Sequence, residues 1–180
     1  APNGISEVDE IFRVEKVLGT RFNDEFVASS GAEAMEGSGG TDLLSYARST
    51  TGVTVNLASG TGSGGFASGD TFANFENLIG SNHADTLTGN AYSNVIHGGL
   101  GNDTISGGAG GDQLHGGQGA DRLTGGIGAD RFVYTSVSES PHLGSSRDVI
   151  TDFNRAEGDK IDVSAIDANP TTSADNAFFR

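Results

Sequence analysis

The sequence predicts an all-β fold: one elongated domain built as a solenoid of short strands, with a full coil every eighteen residues. Residues 80–133 form six consecutive nonapeptides in unbroken register. Each nonapeptide has a glycine-rich turn, an Asp or Asn at position 6 and one apolar residue at position 8. A fixed internal period of this kind is the signature of a repeat architecture, in which each unit packs only against its neighbours.

The turn comes first in each nonapeptide, and its glycines are expected at positions 1, 2 and 4 because they make positive φ accessible. Such a backbone brings carbonyl oxygens together, and position 6 adds a side-chain oxygen. The position-6 residues are Asp85, Asn94, Asp103, Asp112, Asp121 and Asp130. The turn glycines of the last four units are Gly98, Gly99, Gly101, Gly107, Gly108, Gly110, Gly116, Gly117, Gly119, Gly125, Gly126 and Gly128.

An all-oxygen, anionic ligand set suits calcium, which takes six to eight oxygens at about 2.3–2.6 Å. Zinc prefers histidine nitrogen and cysteine sulfur. Several calcium ions are therefore predicted between turns two units apart. These would pair Asp103 with both Asp85 and Asp121, and Asp112 with Asp130. Asn94 would supply a neutral oxygen beside Asp112.

The strand follows the turn, at positions 7 to 9. Successive side chains of a strand point to opposite faces, so position 8 is expected inside and positions 7 and 9 outside. The predicted core residues are Leu87, Ile96, Ile105, Leu114, Leu123 and Phe132.

A degenerate copy of the repeat lies upstream. Residues 14–42 align with residues 75–103 at a constant offset of 61, giving three units over 19–45 with Asp24, Glu33 and Asp42 at position 6. Their turns contain less glycine, so we expect the same solenoid with weaker or fewer metal sites, and Asp24 and Asp42 as its candidate ligands.

The other segments complete the chain. Residues 1–18 form a lead-in, with a short helix predicted over 6–17. Residues 46–79 are interpreted as a bulged coil, with a strand over 53–57 because Val53, Val55 and Leu57 alternate with polar residues, and a long flexible loop over 59–70. Residues 134–180 are expected to close the solenoid.

Residues 19–45 and 80–170 resemble the RTX (haemolysin-type calcium-binding) parallel β-roll of proteins exported by bacterial type I secretion. The tail resembles the segment that closes the roll in serralysin-type metalloproteases, family I.3 lipases and the R-modules of mannuronan C5-epimerases. The resemblance implies a right-handed parallel β-roll and calcium ligation by Asp148 and Asp152 at the last turns. It also implies secretion to the outside of a bacterial cell, through a type I apparatus that reads a C-terminal signal expected beyond Arg180.

Composition agrees with folding driven by metal. The chain has 34% hydrophobic residues, 29 glycines and a net charge of −14, which are poor material for a compact apolar core. Calcium would neutralise the stacked carboxylates, and its binding free energy would become folding free energy. We therefore expect the repeats to be disordered without calcium. There is no cysteine for a disulfide and no apolar run long enough to span a membrane.

No enzyme motif occurs: HExxH, GxSxG and a cysteine nucleophile are all absent. We expect a monomeric, non-catalytic module that stabilises a larger secreted protein, and the acidic charge disfavours nucleic acid. One alternative is a module that binds an acidic polysaccharide such as alginate. Its candidate face would be the outward side chains His97, Gln113, His115 and Arg131, with His97 and His115 one coil apart. Another alternative is a structural spacer in an adhesin.

Overall fold

The computed structural model describes residues 16–140 and 147–166, and nearly all regular structure in these ranges is β-strand. The strands are β1 (Val17–Leu18), β2 (Glu25–Val27), β3 (Ala34–Glu36), β4 (Leu43–Ser45), β5 (Thr54–Asn56), β6 (Thr61–Ser63), β7 (Thr71–Ala73), β8 (Asn77–Ile79), β9 (Thr86–Thr88), β10 (Val95–Leu100), β11 (Thr104–Ala109), β12 (Gln113–Gln118), β13 (Arg122–Ile127), β14 (Arg131–Val133), β15 (Val149–Ile150) and β16 (Lys160–Asp162). The one helical element described is a 3₁₀ turn at Gly65–Ala67. The helix predicted over 6–17 lies almost wholly outside the described residues, and Val17 is in a strand.

The strands form two open sheets. The nine-stranded sheet has the order β1-β3-β7-β6-β5-β9-β11-β13-β15, and the seven-stranded sheet has the order β16-β14-β12-β10-β8-β4-β2. Regular neighbours are parallel and eighteen residues apart: Ile96 of β10 lies opposite Leu114 of β12, and Ile105 of β11 lies opposite Leu123 of β13. The chain is thus an all-β parallel β-roll with one coil every two nonapeptides, as the sequence predicts.

The core lies between the sheets, and in the regular repeats it consists of the position-8 side chains. All six predicted core residues, from Leu87 to Phe132, are 0% exposed. Position 7 is exposed or half-buried in the same strands. The alternation predicted from the sequence is therefore confirmed.

Four of the regular strands are longer than predicted. The strands β10 to β13 have six residues each rather than three, because pairing continues into the next turn. Gly99 lies opposite Gly117, and Leu100 lies opposite Gln118. Glycine keeps the backbones of successive coils in contact here, since a Cβ on Gly117 would meet the carbonyl oxygen of Gly99.

The stretch 59–70, within the bulged coil of residues 46–79, departs from the predicted long loop. The stretch 59–70 contains β6 and the 3₁₀ turn, and β6 pairs antiparallel with both β5 and β7. Buried contacts hold it in place: Tyr46 is 0% exposed, and its hydroxyl donates to Asp70 Oδ2 at 2.8 Å. The polar, glycine-rich composition of this stretch suggested a loop. The bonds that stabilise it come from residues distant along the chain, so the local pattern does not reveal them.

The two copies of the repeat begin in opposite sheets. The strand β2 lies in the seven-stranded sheet, whereas β9, its counterpart at an offset of 61, lies in the nine-stranded sheet. The three strands β5, β6 and β7 all belong to the nine-stranded sheet, while β4 and β8 are direct neighbours in the other. The segment therefore passes three times through the nine-stranded sheet before the chain returns to the seven-stranded sheet at β8.

Candidate metal centre

The position-6 side chains are stacked in two rows along the edges of the roll. The first row is Asp85, Asp103, Asp121 and Asp148; the second row is Asp24, Asp42, Glu76, Asn94, Asp112, Asp130 and Asp159. Within a row, the backbone N–H of one member donates to the side chain of the next, except between Glu76 and Asn94, where Asn94 Nδ2 donates to the Glu76 carbonyl oxygen. The Asp85 N–H donates to Asp103 Oδ1 at 2.8 Å, and the Asp103 N–H donates to Asp121 Oδ1 at 2.8 Å.

In the second row, the Asp112 N–H donates to Asp130 Oδ1 at 2.9 Å. The predicted pairs Asp85–Asp103, Asp103–Asp121 and Asp112–Asp130 are thus adjacent in the structure. Each of these hydrogen bonds uses one oxygen of the carboxylate, so the other oxygen of the same carboxylate needs a different partner.

Six of these second oxygens are buried and lack a hydrogen-bond partner. They are the Oδ2 atoms of Asp42, Asp103, Asp112, Asp121, Asp130 and Asp148. Asp103, Asp112, Asp121 and Asp130 are each 1% exposed. A buried carboxylate without a partner is strongly unfavourable, because it has lost water and gained nothing. A cation beside these oxygens is the partner that the arrangement fits.

The position-1 glycines lie directly beside these carboxylate oxygens. A Cβ on Gly107 would meet Asp112 Oδ2 and would lie 2.6 Å from the carbonyl oxygen of Gly125, and Gly98 stands in the same relation to Asp103 Oδ2 and the Gly116 carbonyl. Carboxylate and carbonyl oxygens from successive coils therefore converge on a space that only glycine leaves open.

Positive φ was predicted for turn positions 1, 2 and 4, and this is wrong for position 1. Gly99 and Gly101, at positions 2 and 4, have φ of 115° and 119°. Gly98, at position 1, has no positive φ. Position 1 requires glycine for space beside the carboxylate, whereas positions 2 and 4 require it for backbone conformation.

The electrostatics of the rows favour a bound cation. Burial, with further contributions from the charges of Asp121 and Asp85, raises the pKa of Asp103 to about 7. Burial likewise raises the pKa of Asp112 and of Asp148 to about 6. It also raises the pKa of Asp42, Asp121 and Asp130. The protein alone therefore disfavours the charged form of these groups, and a nearby cation would reverse that preference.

The ligands would come from backbone and side chains together. Across residues 16–140 and 147–166, no three His, Cys, Asp or Glu side chains converge as a metal-binding group. Carboxylates of adjacent turns would share the cation with glycine carbonyls, and an all-oxygen set of this kind matches calcium rather than zinc.

The acidic residues of the closing segment bond to different parts of the roll. Asp148 Oδ1 accepts the Asp121 N–H at 3.0 Å and so extends the first row. The two oxygens of Asp152, also predicted as a ligand, accept the N–H groups of Gly125 and Gly126 at 2.9 and 2.8 Å. Asp159, which the sequence suggested only as a closing residue, accepts the Asp130 N–H at 3.0 Å and ends the second row.

Sequence reasoning also missed Glu76, whose Oε2 accepts the Asp42 N–H at 2.9 Å. A signal was present, because extending the nine-residue period one unit upstream, over 71–79, places Glu76 at position 6 and Leu78 at position 8. No such signal exists for Asp159, which lies 29 residues after Asp130.

The proposed polysaccharide face has the predicted geometry but little positive charge. The rings of His97 and His115 stack with centroids 4.0 Å apart. Burial lowers the pKa of His97, and burial together with His97 lowers the pKa of His115 to about 4. Arg131 forms an ion pair with Asp162 at 3.1 Å. Both histidines are therefore neutral at physiological pH, and this does not favour an acidic ligand.

Replacing Gly107 by Ala is expected to block the space between Asp112 and the next coil. The added Cβ would collide with Asp112 Oδ2 and the Gly125 carbonyl, so we expect at least one bound ion fewer and a calcium midpoint of folding raised roughly tenfold or more, about 1.4 kcal/mol. Isothermal titration calorimetry with calcium measures both quantities.

The matched control is Gly39→Ala in the upstream copy. The nearest atom to a Cβ there is Arg21 Cα at 3.9 Å, so calcium binding should stay as in the parent chain. Equal ion numbers in Gly107→Ala and the parent would rule out a ligand role for this turn.

Comparison with known proteins identifies the repeat. Residues 14–44, 79–114 and 106–134 match the family model of the RTX calcium-binding nonapeptide repeat, present in four copies. No curated protein matches the chain. Among the described residues, no helix is long and apolar enough to cross a membrane. Stacked nonapeptides, paired rows of carboxylates and the family match together show that residues 14–44 and 79–134 are RTX calcium-binding nonapeptide repeats that form a parallel β-roll.

Proposed function

We propose that this β-roll is a folding module of a larger protein exported through a type I secretion apparatus. The repeats would stay unfolded at the low free calcium of the bacterial cytoplasm and fold at millimolar calcium outside the cell. The observation that carries the proposal is the set of six buried carboxylate oxygens that lack a partner among the described residues.

Coupling between metal and folding follows from that observation. A site made from turns on successive coils does not exist in the unfolded chain, so calcium binds the folded state and stabilises it by mass action. Without calcium, the coils that contain these six residues must bury a carboxylate oxygen that lacks a partner. The net charge of −14 adds repulsion to that local cost.

The module's contribution to its parent is structural. The repeat is a calcium-binding unit and not a catalytic one. We infer that the module stabilises an extracellular partner domain once it has folded. The neutral histidine pair and the ion-paired Arg131 give no support to a polysaccharide site on the seven-stranded sheet.

A calcium titration tests the proposal. The midpoint of folding, followed by circular dichroism, should fall at about 10⁻⁴–10⁻³ M, the range of extracellular calcium modules. Such a midpoint lies above free cytoplasmic calcium and below extracellular calcium. A midpoint below about 10⁻⁶ M would allow folding before export and would contradict the proposed role, although calcium binding itself would stand.

A further inference from the structure

The turns of this roll are of two kinds, which differ at position 2. In the first kind, called closed turns here, the position-2 N–H donates to the position-6 side chain of the same unit. The Ser81 N–H donates to Asp85 Oδ2 at 2.5 Å, the Thr20 N–H donates to Asp24 Oδ2 at 2.7 Å, and the Asn90 N–H donates to Asn94 Oδ1 at 2.8 Å. The closed turns are Thr20–Asp24, Ser29–Glu33, Ser81–Asp85, Asn90–Asn94 and Thr135–Glu139.

The position-2 side chain strengthens each closed turn. The Ser81 hydroxyl donates to Asp85 Oδ1 at 2.8 Å, and the same oxygen accepts the Val53 N–H at 2.7 Å. The oxygens of Asp85 are therefore occupied by protein donors. Hydrogen bonds from hydroxyl and backbone N–H groups stabilise a carboxylate without a metal.

Asn94 also donates hydrogen bonds, because its side-chain amide has N–H groups and an ionised carboxylate has none. Asn94 Nδ2 donates to the carbonyl oxygen of Glu76 at 2.7 Å and to Asn90 Oδ1 at 3.1 Å. One neutral side chain thus links two successive turns of the second row. It does so directly beside Asp112, whose Oδ2 is unpaired.

In the second kind, called open turns here, the position-2 residue has positive φ. These residues are Ser38, Gly99, Gly108, Gly117 and Gly126, with φ of 75°, 115°, 110°, 96° and 104°. Their position-6 residues are Asp42, Asp103, Asp112, Asp121 and Asp130, and each has an unpaired, buried Oδ2. Positive φ turns the position-2 N–H away from the carboxylate of its own unit, and glycine supplies no hydroxyl in its place.

The apolar core is divided in the same way along the chain. Among the described residues, twelve buried hydrophobic side chains lie between Phe26 and Leu78, and six lie between Leu87 and Phe132. The first group includes an aromatic cluster, in which Phe75 packs edge-on against Phe26 at 5.0 Å and against Phe72 at 6.5 Å. Apolar burial is thus concentrated upstream of the four open turns between Gly98 and Asp130.

We propose that position 2 decides which coils depend on calcium, and that only the open turns take the ion. Ser, Thr or Asn at position 2 replaces the cation with hydrogen bonds where its φ is not positive, so the coils up to Ile96, apart from the open turn at Ser38, form a metal-independent base. The four open turns from Gly98 to Asp130 then add coils to that base when calcium binds. This inference rests on the proposed calcium-coupled folding and narrows it to part of the roll.

A matched pair of variants in the first row tests the assignment. Asp103→Asn should reduce the number of calcium ions bound at saturation, measured by equilibrium dialysis. Asp85→Asn should leave that number unchanged, even if it lowers the melting temperature. Equal loss of ions in both variants would overturn the distinction between open and closed turns. Binding of no calcium by the parent chain would instead overturn the proposed function.

Opening a closed turn gives a second, independent test. Ser81→Gly removes the hydroxyl and permits positive φ, so the roll should lose stability in chelator and regain it in calcium. A purely structural defect would lower the melting temperature equally under both conditions, and that result would overturn the proposal.

Hydrogen exchange in chelator locates the metal-independent base. Backbone amides of β5, β8 and β9 should remain protected, whereas those of β11, β12 and β13 should exchange at least a hundredfold faster than in calcium. Uniform loss of protection across all six strands would contradict the proposed division of the roll.

Discussion

Chelating calcium is expected to unfold the coils between Gly98 and Val133, and this is the largest effect that the structure predicts. Each coil there contributes one inward aliphatic or aromatic side chain per strand, which is too little burial to offset chain entropy. Each coil also buries a carboxylate with an unpaired oxygen. The β-sheet signal in circular dichroism should fall, and the radius of gyration from X-ray scattering should rise.

Magnesium is the control ion for this experiment. It requires tight octahedral geometry at about 2.0–2.1 Å and gives up its water reluctantly, so it should restore little of the lost signal at equal concentration. Full recovery with magnesium would mean that general charge neutralisation, rather than a fitted site, drives folding. Unchanged β content in chelator would contradict coupling between metal and fold.

Asp121→Ala is expected to be the most damaging single substitution among the regular repeats. Asp121 Oδ1 accepts the Asp103 N–H, its Oδ2 is unpaired, and its own N–H donates to Asp148. The change removes a ligand from the junctions on both sides and leaves a buried N–H without a partner. A loss of about 3 kcal/mol is expected. Differential scanning calorimetry in calcium should show a melting temperature lower by roughly 6–12 °C, together with a raised calcium midpoint.

Two further variants separate the causes of that loss. Asp121→Asn keeps an oxygen for the Asp103 N–H and removes the charge, so it should recover part of the stability and little of the calcium affinity. Replacing His97, His115 and Arg131 together by Ser changes only outward positions of the seven-stranded sheet. That triple variant should bind the same number of ions. A calcium midpoint shifted as far as in Asp121→Ala would show that the predicted rows are not the metal sites.

The sequence by itself determined the regular part of this protein. A nine-residue period fixes a coil of eighteen residues, because two strands and two turns are needed to return to the same edge. The period also places Leu114 and Ile96 in the core, and it aligns Asp103 with Asp85 and Asp121. Each of these features depends only on contacts between units a constant distance apart, so the linear pattern contains them.

Only the tertiary structure decided the features that depend on contacts outside the period. The stretch 59–70 became β6 and a 3₁₀ turn because Asp70 meets Tyr46 in the core. Asp159 joined the second row through the path of the closing segment, 29 residues beyond Asp130. The strands β2 and β9, which are equivalent in sequence, lie in opposite sheets.

The difference between open and closed turns depends partly on the sequence and partly on the tertiary structure. Its signal is local, since Ser81 and Asn90 stand where the later units have glycine. The sequence does not show whether a serine at position 2 gives an open or a closed turn. Ser38 has positive φ and leaves Asp42 Oδ2 unpaired, whereas Ser81 does not have positive φ and bonds to Asp85. The backbone conformation at position 2 separates the carboxylates that the protein satisfies from those with an unpaired oxygen, and the residue type alone does not determine that conformation.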